Sequence, residues 1–99
     1  MENSNLIAIE TFCTIHGVET AFIYAVQDIG LIEVISVDEI PYIREEHLLY
    51  LEKSVRLNRE LDINFEGIGA IFQLLGEVDT LKQEINTLKN KLRLYESQQ

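Results

Sequence analysis

The chain has 99 residues, 46% of them hydrophobic, with no Trp, one Pro and one Cys. That length allows one small domain, with or without a protruding helix, and the apolar content excludes an intrinsically disordered chain. The lone Cys13 excludes an internal disulfide. The net charge of −9 is unevenly spread: Met1–Ile43 carries seven acidic residues and no Lys or Arg, and all eight basic residues lie from Arg44 onward.

Residues 1–5 are polar and are expected to fray, and Leu6-Ile7-Ala8 is a short apolar entry. Ile9 to His16 has helical spacing, with Ile9, Phe12, Cys13 and His16 on one face, and Gly17 is the expected stop. Glu19 or Thr20 opens a second helix, Thr20 to Ile29, with Ala21, Phe22, Tyr24, Ala25 and Ile29 as candidate core positions and Gly30 as its end. Two short helices joined by a tight glycine turn make a helix-turn-helix. Leu31 to Val37 is rich in β-branched residues and predicts a strand. Asp38-Glu39 predicts a turn, and Ile40 to Ile43 a second strand that Pro41 marks as an edge. A hairpin placed after a helix-turn-helix is a wing. Arg44 to Leu61 predicts a third helix, lined by Leu48, Leu51, Val55 and Leu61. Asp62-Ile63-Asn64 breaks it, and Asn64 is the expected cap of a fourth helix. Gly67 and Gly69 weaken that fourth helix by about 1 kcal/mol each, so close packing against the third helix is the expected reason for them.

From Phe65 to Tyr95 the pattern is that of one long amphipathic helix. Ile71, Leu74, Val78, Leu81, Ile85, Leu88, Leu92 and Tyr95 recur at alternating steps of three and four residues, the seam of a coiled coil. Apart from Leu75 the rest of that surface is almost wholly polar. A lone helix cannot bury such a seam, and the same helix of a second chain is the expected partner. The expected interface is Ile71, Leu74, Val78, Leu81, Ile85, Leu88 and Leu92. In a parallel pair the flanking charges would match as Glu77–Lys82, Glu84–Lys89 and Lys91–Glu96, each worth about 0.2–1 kcal/mol. The expected organisation is a winged helix-turn-helix domain over 1–63 and a dimerisation helix over 64–99 with a frayed end.

The order helix, turn, helix, wing, helix, long helix resembles a MerR-like winged-helix domain. Gly30-Leu31-Ile32 resembles the G-L-I that ends the second helix of that superfamily. A nearer resemblance is to CbpM, its chaperone-modulatory branch, with the pattern V-R-L-x-x-E-L, a G-I turn, then a long helix containing L-K-Q-E. Here these read Val55-Arg56-Leu57-Asn58-Arg59-Glu60-Leu61, Gly67-Ile68 and Leu81-Lys82-Gln83-Glu84, with Phe12-Cys13 also similar to the first helix of the family. The resemblance covers essentially the whole chain, and the order and spacing of its motifs carry it. It implies a non-enzymatic regulator that binds the J-domain of a DnaJ/CbpA-type co-chaperone and blocks its work with a DnaK-type chaperone. J-domains present a basic helix to that chaperone, so an acidic competitor is chemically apt. MerR-like dimers generally use an antiparallel helix pair, so the direction of pairing stays open.

The charge pattern bears on this independently. Binding duplex requires cations against the phosphates and donors such as Arg, Lys, Asn or Gln at base edges. The second helix offers only Gln27 and adds Asp28, and the wing carries Glu33, Asp38 and Glu39. We therefore expect Glu19, Asp28, Glu33, Asp38 and Glu39 to draw a basic protein partner electrostatically, and no DNA to bind there. A DNA-binding regulator of the same fold, using Arg44, Arg56 and Arg59, is the alternative, and a dimeric adaptor for another basic protein is a third.

Other chemistry is thin. Cys13 and His16 have C-x-x-H spacing, but zinc sites want about four ligands, and His47 is the only other histidine. The carboxylate pairs Asp38-Glu39 and Glu45-Glu46 are sequence neighbours rather than convergent groups. Gly67-x-Gly69 follows no strand and lacks the third glycine of a dinucleotide loop. No catalytic residue, cofactor or metal is expected. Tyr24 and Tyr42 are equally apt as partner contacts or core. The basic residues of a secretory signal are missing from the first ten positions, and no run approaches the roughly twenty apolar residues of a membrane span, so the cytoplasm is the expected compartment.

Overall fold

The computed structural model describes residues 5–98. Its elements run β1 (Leu6–Ala8), α1 (Ile9–His16), α2 (Thr20–Asp28), β2 (Val34–Val37), β3 (Ile40–Arg44), a 3₁₀ turn (Glu45–His47), α3 (Leu48–Leu61) and α4 (Phe65–Ser97). The architecture is mainly helical: a helix-turn-helix with a small wing, followed by a long helix. Of the residues 1–5 expected to fray, 1–4 lie outside the described residues, and Asn5 is held instead: its carbonyl accepts the Glu45 N–H at 2.9 Å and its side-chain amide donates to Glu45 Oε1 at 3.0 Å. Two compact units are distinguished, Met1–Gly69 and Ala70–Gln99.

The first unit is built around Ile9, Phe12, Cys13, Ile23, Val26, Ile32, Ile43, Leu51 and Val55, with Phe22, Leu48 and Phe65 packed against them. Helix α1 ends where expected: Gly17 takes a left-handed conformation (φ 66°) that closes the helix without a Cβ clash. Helix α2 is phased differently from the sequence expectation. Ile23 and Val26 are fully buried, whereas Ala21 and Tyr24 face solvent. Six of the nine residues of α2 are apolar and cover its whole circumference, so no polar stripe sets its phase, and packing against α1 and α3 decides it. On α3, Leu51, Ser54 and Val55 are buried. The Ser54 hydroxyl is satisfied by donating to the Tyr50 carbonyl at 2.7 Å. Leu61 is exposed and does not join the core face, because the helix ends there and Asp62 turns left-handed (φ 58°).

The sheet has three antiparallel strands in the order β1-β3-β2. Pro41 therefore lies in the central strand, not at an edge. The register explains why it is tolerated. β1 reaches only Tyr42, opposite Ala8. Toward β2, Pro41 faces Ser36, one pair back from the turn-flanking pair Val37 and Ile40. In a two-residue hairpin the flanking pair exchanges hydrogen bonds and the next pair does not, so no neighbour needs the donor proline lacks. The loop residues Asp38 (φ 53°) and Glu39 (φ 67°) both have positive φ, the mark of a type I′ turn. A left-handed L-residue costs about 1–2 kcal/mol, whereas glycine there costs mainly unfolded-state entropy. Glu39→Gly is expected to stabilise the first unit by about 0.5–1 kcal/mol, read as a raised urea midpoint at unchanged slope.

Asn64 caps α4: its side-chain oxygen accepts the Gly67 N–H at 2.8 Å, and its carbonyl accepts the Ile68 N–H at 2.9 Å. This corrects the packing expectation for the two glycines. A Cβ on Gly67 would lie 2.7 Å from Ile63 Cγ2 and 3.2 Å from the capping oxygen, so Gly67 makes room for the cap loop and not for α3. Gly69 passes close to Ile29, just beyond α2. The second unit is a helix along which the apolar residues expected to form a seam lie open. Ile71 is half-buried, and Leu74, Val78, Leu81, Ile85, Leu88 and Leu92 are exposed, by 45% at Val78 to 64% at Leu88. The only fully buried residue of α4 is Ile68, in its first turn.

Candidate functional site

The surface the sequence singles out belongs to α2 and the wing. Glu19 is the residue before α2, and its carbonyl accepts the Phe22 N–H at 2.9 Å while its carboxylate makes no cap bond. Asp28 is the last residue of the same helix, so the two carboxylates sit about four helical residues either side of its middle, roughly 13 Å apart along the axis. Asp38 and Glu39 form the wing tip. All four are exposed. Glu33 is exposed too but is not unopposed: Arg44 lies 3.5 Å away on β3. The structure therefore spreads these acids over two ends of a helix and one hairpin. Among the described residues no group of three or more His, Cys, Asp or Glu could hold a metal.

Apolar groups stand beside these acids. Val37 and Ile40 flank the wing turn, are paired in register and are 42% and 49% exposed; Tyr24 on α2 is 41% exposed. Tyr42 is half-buried in the sheet. Of the two tyrosines, Tyr24 is the one available to a partner. The alternation of the hairpin already signalled Val37 and Ile40, since the flanking pair of a short hairpin projects beyond the core.

Gln27 decides the chemistry of α2. Its side-chain oxygen accepts the Val34 N–H at 2.7 Å, tying the end of α2 to the first residue of the wing. The side-chain oxygen of Gln27, the amide of α2 that could read a base edge, is thus turned onto the protein's own backbone. The three arginines of the alternative surface also have partners within the chain. Arg44 faces Glu33, Arg56 Nε lies 4.0 Å from Glu60 one turn on, and Arg59 donates to the Gly17 carbonyl, stapling α3 to the helix-turn-helix turn.

A family model described as MerR HTH family regulatory protein matches residues 7–90. The chain belongs to the MerR helix-turn-helix regulatory family. Comparison with curated proteins and with solved structures finds no match. Neither α2 nor the wing from Val34 to Ile43 carries a Lys or Arg, and the cation at the end of β3, Arg44, faces Glu33. Cys13 and His16 do not converge as ligands. Cys13 is buried, which pushes its thiol pKa up and keeps it protonated. His16 stacks on Phe12 with ring centroids 4.1 Å apart and lies 3.9 Å from a carboxylate oxygen of Glu52, so it bridges α1 and α3. No helix among the described residues is long and apolar enough to cross a membrane.

Proposed function

We propose that this MerR-family regulator is non-enzymatic and binds protein, not duplex: it takes the J-domain of a DnaJ/CbpA-type co-chaperone on the acidic face of α2 and the wing and keeps it from a DnaK-type chaperone, acting in the cytoplasm as a homodimer joined through α4. The observation that carries the reading is the electrostatics of the face. No Lys or Arg occurs before Arg44, and the one base-reading side chain of α2 is bonded to Val34. A duplex presents one negative charge per roughly 1.7 Å and would be repelled there, while a basic helix would be drawn in. The similarity of Val55–Leu61 and Leu81–Glu84 to the chaperone-modulatory branch supports the choice of partner. The exposed Tyr24, Val37 and Ile40 supply apolar contacts that a purely solvated acidic face would not have.

The family match itself favours a second reading, a DNA-binding transcription regulator that uses Arg44, Arg56 and Arg59. A third, a dimeric adaptor for another basic protein, shares the acidic face. One titration series separates them. A purified J-domain and a fluorescent 30-base-pair duplex are each titrated with the protein at 50 and 200 mM salt. The proposal expects J-domain binding that weakens with salt and no shift of the duplex. Duplex binding that falls about 10³-fold or more across that salt range would establish the DNA regulator instead. Absence of J-domain binding, with capture of a different basic protein, would leave the adaptor.

A further inference from the structure

We infer that the outer face of the wing sheet is the docking floor for an amphipathic helix that has an apolar stripe with basic flanks. This rests on the J-domain reading above. It adds which surface is used and what kind of element lies on it.

The strand register divides the sheet into two faces. Residues directly opposite in an antiparallel pair point to the same side, and neighbours along a strand point to opposite sides. Ile43 stands opposite both Ile7 and Val34. Ile43 is fully buried, and Ile7 and Val34 pack against the core, so these three mark the inner face. The outer face is then Leu6 and Ala8 on β1, Ile40, Tyr42 and Arg44 on β3, and Ile35 and Val37 on β2. Only Arg44 among them is polar, and it turns to Glu33 at the end of the sheet. None of the apolar six belongs to the core or packs against it. Leu6, Val37 and Ile40 are 38%, 42% and 49% exposed, and Ala8, Ile35 and Tyr42 are half-buried between them.

An antiparallel sheet with one wet face ordinarily alternates apolar and polar residues along each strand. That alternation is missing here, and strands apolar on both sides suit a sheet covered on both sides. The shape fits one helix. Leu6 and Val37 sit at opposite corners, two strand spacings across and four residues along, so roughly 16 Å separates them. A helix about 10 Å wide laid along that diagonal covers it in about three turns.

Charge selects the sign of the occupant. Four carboxylates flank the strands, Glu33 before β2, Asp38 and Glu39 at the turn and Glu45 after β3, against the single cation Arg44. A helix with Lys or Arg beside its apolar stripe is complementary to such a border. A second copy of this chain would bring the same four carboxylates and be opposed by them.

Amide chemical-shift mapping of the whole chain tests this with three probes: a purified J-domain, a synthetic Leu/Lys amphipathic helix of about eighteen residues, and its Leu/Glu counterpart. The J-domain and the Leu/Lys helix are expected to shift amides of all three strands, and the Leu/Glu helix none. Leu6→Thr keeps a residue suited to strands and lies outside the core, far from the wing tip. It should weaken J-domain binding by about 3- to 10-fold. J-domain binding with shifts confined to α2 and the wing turn, and indifferent to Leu6→Thr, overturns the docking floor and leaves the J-domain reading standing. Sheet shifts with the Leu/Lys helix but no J-domain binding support the floor and overturn the J-domain as its occupant. Equal binding of the Leu/Glu helix overturns the basic occupant, and no sheet shifts with either basic probe overturn the proposal. The mapping on the parent chain decides these outcomes even if Leu6→Thr fails to fold.

Discussion

Phe12→Ala is expected to unfold most of the first unit near physiological temperature. Phe12 is 2% exposed and the largest of the fully buried side chains. It touches the core from α1 and stacks on His16, whose ring bridges toward Glu52 on α3. Truncating a buried Phe costs about 3–5 kcal/mol, from lost transfer energy and the cavity left behind. Domains of this size hold roughly 0.05–0.15 kcal/mol per residue, so a unit of about seventy residues has only a few kcal/mol to lose. The melting temperature should fall by roughly 15–30 °C, and proteolysis should begin within α1 and α2 at 37 °C. A fall of under 5 °C would mean that Phe12 is not in the core.

The second large effect is on binding. Asp38→Lys with Glu39→Lys turns the wing tip from two negative charges to two positive ones. Lys tolerates the left-handed backbone as Glu does at position 39 but less well than Asp at position 38, so an unchanged circular-dichroism melt is the control that the turn is kept. Steered association responds mainly through the on-rate, and J-domain affinity should drop on the order of 10- to 100-fold at 50 mM salt. At 1 M salt, where the screening length is about 3 Å, the difference from the parent should shrink to within a few-fold. Surface plasmon resonance at both salts checks this. An unchanged on-rate at low salt would remove the wing from the partner surface. The same exchange on Glu33 should do less, because Arg44 already opposes it.

The features legible in the sequence are the local ones. The span of α4, the Asn64 cap, the Gly17 stop and the Asp38-Glu39 turn each depend on a few neighbouring residues, and each is where the pattern put it. Three features depend on distant partners and were hidden. β1 has only three residues, and it exists because Ile7 finds Ile43, thirty-six positions away. The phase of α2 is set by what packs on Ile23 and Val26, not by its own evenly apolar composition. The edge rule for Pro41 held locally, since no strand needs its donor, but failed for the strand as a whole because β1 adds to the near end of β3. The candidate surface divides the same way. That its acids would be exposed could be told from charge alone. That Glu33 meets Arg44, that Gln27 bonds the Val34 N–H and that Arg59 reaches the Gly17 carbonyl required the fold: the first offsets a cation with an anion, and the other two commit side chains that could contact duplex to the protein's own backbone.

The open seam of α4 also has a bearing on dose. Beyond its first turn the helix holds no buried side chain, and a single helix of such length in water is only marginally persistent. In the homodimer proposed above its lifetime becomes a matter of mass action: scarce copies would fray and be degraded, and abundant ones would shelter one another. Output from such a regulator would rise more steeply than its synthesis rate, giving a threshold in gene expression with no added control element.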